Sequence, residues 1–241
     1  MLFYSEREFR QRLGSGGFAD VFEGFYEGRP VAVKKMKVST KNPAATNEAF
    51  EAEASLQPLH HHHVISILTV IREPEKLIVM ELVPEARTLQ RVIDSESDYK
   101  WRDFAQQLAA ALTYLHHLNI LHLDIKPAII LVTGQNDCKV IDFGCSQHTD
   151  NPRVSPLQGT LAYRAPELFS NQLPTPKADI YSLAITLWSL KTRQTPYDGE
   201  NNERIVYQVV AQHRRPARDP DFEAMWTADP RRRPEADQLS F

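Results

Sequence analysis

The sequence predicts an α+β fold of two lobes, a small β-rich N-terminal lobe over residues 1 to 82 and a larger helical lobe over residues 83 to 241. Three observations predict it. "VFEGFYEG" and "RPVAVKKMKV" are β-forming runs joined at Gly28 to Pro30, a turn signal. "WRDFAQQLAAALTYL" places Trp101, Phe104, Leu108, Leu112 and Leu115 three or four apart, which gives a helix one apolar face. "DIYSLAITLWSL" is apolar nearly all round, as a helix at the centre of a lobe must be.

The remaining elements follow in order. "TNEAFEAEASLQPL" is rich in Ala and Glu and reads as a helix capped by Thr46 or Asn47 and ended by Pro58. "KLIVMELV" is a short apolar strand closed by Pro84. No internal repeat or low-complexity linker interrupts the chain, so residues 1–241 are expected to form one domain.

Composition narrows the function classes. Hydrophobic content of 42% and charged content of 24% are ordinary for a soluble globular chain. A net charge of -3 supplies no positive field for nucleic acid or anionic lipid, so neither is expected as a partner. The run Arg231 to Arg233 is short and flanked by prolines, a solvated turn with one structural arginine. Cys138 and Cys145 are the only cysteines, a count that suits a reducing compartment. The start "MLFYSEREFR" is charged too early for a secretory core, and "ADIYSLAITLWSL" falls short of the ~18 to 20 residues of a membrane span. A cytosolic, monomeric protein with no membrane attachment is the expectation.

The chemistry-bearing motifs come next. "LGSGGFADV" is a glycine-rich turn between two strands, where backbone N–H groups can approach phosphate oxygens closely. A strand, not a helix, follows it, which argues against a dinucleotide-binding fold. "VAVK" ends at Lys34, and a lysine gripping phosphates needs a carboxylate to fix its direction. The helix offers Glu51 and Glu53. Glu53 is preferred for its distance from "LQPLHH", and Glu48 and Glu51 are expected to face solvent. "DFG" (Asp142 to Gly144) follows the strand "DCKVI". In "HLDIKP", Asp124 would orient the attacking hydroxyl and Lys126 would lie beside the transferred group. "APE" (Ala165 to Glu167) and Asp179 of "DIYS" complete an order that chance does not produce. His60 to His63 resemble a metal tract, but consecutive residues cannot converge on one ion from a helix, so a loop with one histidine buried is expected.

These residues resemble the protein kinase family over essentially the entire chain, with "KP" and "GTLAYRAPE" similar to its serine/threonine branch. "LGSGGF", "HLDIKPA", "CKVIDFGCS", "TPKADIYSLAITLW" and "PYDGE" are similar to the Mos subgroup, whose members act on MAP kinase kinases in oocyte meiosis. The resemblance implies the two-lobed kinase fold and a kinase using ATP and Mg2+, with a MAP kinase kinase as protein substrate. Gly14, Gly16, Lys34 and Glu53 would hold ATP, within walls formed by Leu13, Val21 and Ala32. Met80 would guard the back of the adenine pocket, and Glu81 and Val83 would offer it backbone groups. Asp142 would bind the metal. Asp124, Lys126 and Thr160 would be catalytic, with Thr160 touching the other two. Glu167 and Arg233 would form a buried salt bridge, and Asp179 would be structural.

Departures from the family pattern qualify this. Ala19 occupies the third glycine position, which a methyl group fits if φ stays negative. The helical region looks shortened between "RPARDPDFEAMW" and Phe241, which would leave the C-terminal lobe marginal. Ile129 stands where the family has an asparagine that ligates a second magnesium, and isoleucine has no lone pair for a hard cation. Losing one such preorganised group costs ~10² to 10³ in rate, about 3 to 4 kcal/mol. The competing class is therefore a pseudokinase or scaffold with little phosphotransfer. A metabolic phosphotransferase is disfavoured by "APE" and the "DIYS" helix.

Leu123 replaces the arginine that would pair with a phosphorylated activation loop, in which Thr149 and Ser155 are the candidate phosphosites. Phosphatase treatment should accordingly leave any kinase activity unchanged. A large loss on dephosphorylation would refute that reading of Leu123.

Overall fold

Strict alternation along "RPVAVKKM" sets the N-terminal layer. Val31 and Val33 bury on one face with Leu77 and Val79, while Ala32 and Lys34 turn to the other, toward the second lobe. The computed structural model describes residues 10–38, 42–56, 58–95, 98–154 and 159–241; the chain start and Ser155 lie outside them. The first lobe comprises β1 (Arg12–Ser15), β2 (Ala19–Tyr26), β3 (Arg29–Met36), α1 (Pro43–Ala54), β4 (Ile67–Ile71) and β5 (Leu77–Glu81). The strands form one antiparallel sheet in the order β1-β2-β3-β5-β4. The β2–β3 turn is at Glu27 and Gly28, with φ of 51° and 76°, one step before the expected site. Two left-handed residues match the twist of a tight hairpin, and Pro30 lies within the strand.

Helix α1 starts earlier than expected. Asn42, not Thr46 or Asn47, is its cap: Asn42 Oδ1 accepts the Ala45 N–H at 3.1 Å, and Pro43 fills the first helical position, where no N–H is needed. The helix ends at Ala54, ahead of Pro58, with the Ser55 N–H bonded to the Glu51 carbonyl. Thr46, Ala49, Phe50, Glu53 and Ala54 are its buried side, at the three- and four-residue spacing of one helix face.

The second lobe follows as β6 (Arg87–Thr88), α2 (Leu89–Asp94), α3 (Trp101–His117), β7 (Ile120–Leu121), β8 (Ile130–Val132), β9 (Cys138–Val140), β10 (Gln147–His148), α4 (Pro166–Phe169), α5 (Pro176–Thr192) and α6 (Asn202–Val210). In α3 the buried residues include Phe104, Leu108, Leu112 and Leu115, with Trp101 half-buried at the end of the same face. In α5 every residue from Ala178 to Leu190 is buried. No helix among the described residues is long and apolar enough to cross a membrane. One apolar cluster runs from Phe50 and Met80 in the first lobe through Phe143 to α5. The architecture is the two-lobed α+β arrangement expected.

Beyond Ala211 the chain makes turns and short 3-10 segments, with no α-helix. This stretch is nevertheless well packed. Phe222, Met225 and Trp226 are buried, and Trp101 contacts the rings of Phe222 and Phe241 at 5.6 and 6.2 Å. Arg233 is its anchor. Its guanidinium grips Glu167 of α4 through two bonds of 2.7 and 2.8 Å and donates to the carbonyls of Lys177 and Thr227. Every acceptor is fixed, so the buried charge is fully compensated.

Replacing Arg233 with Met would strand the Glu167 carboxylate in apolar surroundings. The expected loss is about 3 to 5 kcal/mol, read as a lower midpoint of urea unfolding.

Candidate active site

The cleft between the lobes is organised by an ammonium. Lys34 of β3 donates to Glu53 Oε2 of α1 and, at 2.8 Å, to Asp142 Oδ1. Glu53 reaches it because it shares the buried helix face with Phe50, whereas Glu51 points outward and pairs with Arg72 at 2.9 Å. Glu48 is exposed as well. Burial alone would lower the Lys34 pKa, but the two carboxylates outweigh it and raise it above the usual lysine range. Burial pushes Glu53 up against the pull of Lys34, and the Asp142 charge adds to the rise. Burial also opposes the charged form of Asp142, yet Lys34 prevails and holds it at about 2. One ammonium thus serves two carboxylates, and the outcome differs because Glu53 is fully buried while Asp142 opens to the cleft.

Asp142 has a left-handed backbone (φ 64°), which turns its side chain into the cleft with 48% of its surface open. Its Oδ1 also meets the Gly144 N–H at 3.4 Å, while Oδ2 has no protein donor among the described residues. That free carboxylate oxygen is a fitting ligand for one hard cation. Ile129 is 5% exposed and belongs to the main apolar cluster. Its main chain is tied on both sides: its N–H donates to the Lys126 carbonyl at 3.1 Å, and its carbonyl accepts from Ile141 at 3.0 Å. A second cation finds no donor there.

Around Asp124 the groups interlock. Lys126 Nζ lies 2.6 Å from both Asp124 Oδ2 and Thr160 Oγ1. Thr160 returns its N–H and hydroxyl to Asp124 Oδ1 at 2.8 and 3.0 Å. The loop is supported from below by Asp179, whose oxygens accept the N–H groups of His122 (2.9 Å) and Leu123 (2.7 Å) and His116 Nε2 (3.0 Å). Burial works against the Asp179 charge, but these bonds, His116 foremost, hold its pKa below the ordinary value. Leu123 is buried with φ 63°, a strained conformation for leucine that its bond to Asp179 maintains.

Register places the remaining expected residues. Ala32 lies opposite Met80, both buried, and Val21 lies opposite Lys34. Leu13 is exposed on β1, beside the glycine turn. Glu81 spends its N–H on the Ser66 carbonyl at 3.0 Å, and its carboxylate takes the Ser66 N–H and Lys139. The Val83 N–H has no protein partner among the described residues. The glycine turn holds groups that motif reading overlooked. Asp20 accepts Arg12 and Ser15, both at 2.6 Å, and Lys37 donates to the Gly16 carbonyl at 2.6 Å. Gly16 N–H is bonded to the Ala19 carbonyl at 2.8 Å, and Ala19, without positive φ, is buried. The polar residues of β1 and β2 that flank the glycines, Arg12, Ser15 and Asp20, were the available signal. His60 to His63 form a loop, but none is buried; the nearest is His63, whose Nδ1 lies 3.0 Å from the Cys138 carbonyl. The main-chain acceptor sits at the rim and holds the ring there.

Wild-type protein should gain about 2.7 kcal/mol of stability at nucleotide concentrations one hundredfold above Kd. Lys34→Met should erase the gain, because Glu53 and Asp142 would then face each other without a cation. Thermal melting with and without Mg-ATP checks this; an unchanged shift in the variant would remove Lys34 from the binding site.

The protein kinase domain family matches residues 7–240. The chain is 39% identical over 230 residues to the serine/threonine-protein kinase mos of Patiria pectinifera, covering 89% of this chain and 65% of that protein. It is 38% identical over 233 residues to the proto-oncogene serine/threonine-protein kinase mos of Sus scrofa, covering 86% and 67%, and 38% identical over 240 residues to that of Rattus norvegicus, covering 90% and 69%. The chain spans about two thirds of the length of these relatives. With this match over nearly its whole length, the chain belongs to the protein kinase family.

Proposed function

We propose that the chain is a Mos-like serine/threonine protein kinase that moves the γ-phosphoryl group of ATP to a protein hydroxyl. The observation that carries this reading is the Lys34 bridge between Glu53 and Asp142, the assembled form of the nucleotide site. Lys34 would bind phosphate oxygens, and the hinge around Glu81 and Val83 would take the adenine. Asp124 would receive or orient the proton of the attacking hydroxyl, with Lys126 and Thr160 fixing its direction. A magnesium ion on Asp142, when bound, would neutralise charge on the phosphates. Asp142 fits that role and Ile129 does not, so the reading is a one-metal kinase of reduced rate.

The subgroup resemblance supports a MAP kinase kinase as substrate and a place in a MAP kinase cascade of meiosis, in the cytoplasm. A pseudokinase is the second reading. Ile129, buried at the position where a metal-binding amide would stand, favours it. The polar groups around Asp124 and Asp142 favour the enzyme.

Transfer of radiolabelled phosphate to a MAP kinase kinase separates the readings. Ile129→Asn should raise the label, by up to ~10² to 10³ if the amide is fully restored. Asp142→Ala should abolish it. Equal traces in wild type and both variants would leave only the scaffold.

A further inference from the structure

Among the described residues, the stretch from Cys145 to Val154 is held in place by uncharged groups. Gln147 of β10 pairs with Leu121 of β7, and its side-chain amide turns onto Arg153. Its Oε1 accepts the Arg153 N–H at 2.6 Å, and its Nε2 donates to the Arg153 carbonyl at 3.1 Å. One amide therefore satisfies both backbone groups of one residue, as a neighbouring strand would. Between them, Thr149 N–H donates to the Asn119 carbonyl at 2.9 Å and Asn151 N–H to the His148 carbonyl at 3.1 Å.

The far end is fixed by shape. Gly159 has φ +70°, and a Cβ there would stand 2.4 Å from the Leu123 carbonyl oxygen, so only glycine fits. Arg164 donates to the Gly159 carbonyl at 3.0 Å, and Thr160 follows directly onto Asp124. Across a groove of about 680 Å³, α1 presents Ala45, Glu48, Ala49 and Ala52, none of them a cation. Leu123 is apolar and buried. A phosphate on this segment would find no cation on α1 or at Leu123 to hold it.

We propose that Gln147 is a positioning residue whose amide staples Arg153 and so fixes residues 147–154 against β7, beside the Asp124 loop and the protein substrate. The part concerning substrate rests on the phosphotransfer reading above; the staple itself does not. A neutral amide here does the ordering that a phosphate would otherwise do through a cationic partner.

Trypsin reads the staple directly, since the Arg153–Val154 bond is cleavable only when Arg153 leaves Gln147, and Val154 is exposed. Gln147→Met removes both bonds, and Gln147→Glu keeps only the acceptor for the Arg153 N–H. Followed by mass spectrometry, cleavage at Arg153 should be about tenfold faster in the Met variant, with the Glu variant between it and wild type. Because the same native bonds are lost, the thermal midpoint should fall only by roughly 3 to 6 °C. With catalytically inactive MAP kinase kinase as substrate, KM for that protein should rise while KM for Mg-ATP stays constant. Unchanged cleavage in both variants overturns the proposal. So does a rise in KM for Mg-ATP that matches the rise for the protein substrate, the mark of a merely structural role. If wild type transfers no phosphate, the kinase reading fails and the cleavage series still decides the staple.

Discussion

The Lys34 ammonium is the contact on which the cleft depends. Three separate pieces of chain meet at it: β3 brings the cation, α1 brings Glu53, and the turn after β9 brings Asp142. Either carboxylate alone in that partly dry space would carry a heavy desolvation cost. Among the described residues they leave two oxygens without a donor, Asp142 Oδ2 in the cleft and the buried Glu53 Oε1. An incomplete site of this kind is poised rather than closed. Polar groups of a nucleotide would enter a network that already points the right way.

Asp179 plays the corresponding part beneath the loop that carries Asp124. Three donors from two elements converge on one buried carboxylate, and two of them are main-chain N–H groups of His122 and Leu123. Main-chain donors do not depend on side-chain identity. The loop therefore keeps its course although position 123 is leucine, and Asp124 still reaches Thr160 and Lys126. The strain at Leu123 and the burial of Asp179 balance each other: each would be unfavourable without the other.

Much of this was legible because motif and period agree. The order of "VAVK", "HLDIKP", "DFG" and "APE" places the polar groups, and strand alternation explains why Lys34 faces the cleft. The helix period accounts for Glu53 over Glu51, since only Glu53 falls on the side of Phe50. The helix start was misread because Ala and Glu propensity drew attention past "NP", the dipeptide that caps α1. The Gln147 amide on Arg153 and the Lys37 grip on Gly16 were invisible for a different reason. Each joins a side chain to a main-chain group, and motif spacing carries no record of where a loop carbonyl will lie. At the end of the chain the Glu167–Arg233 pair was legible from the family pattern, while the ring contacts of Trp101 with Phe222 and Phe241 were hidden, since they form only in three dimensions.

Ile129 shows how fold and chemistry separate within one loop. Burying an isoleucine contributes about 1.5 to 3 kcal/mol to the folded state, and its main-chain bonds to Lys126 and Ile141 keep the turn shut. The missing amide would act mainly when charge builds on the transferring group, at about 3 to 4 kcal/mol of transition-state stabilisation. On the kinase reading the substitution is compatible with the folded loop, and its cost would fall on the chemical step. A family member can lose a metal ligand in this way without any sign of it in its architecture. The donor set around Asp142, and not the fold, records how many cations the site can hold.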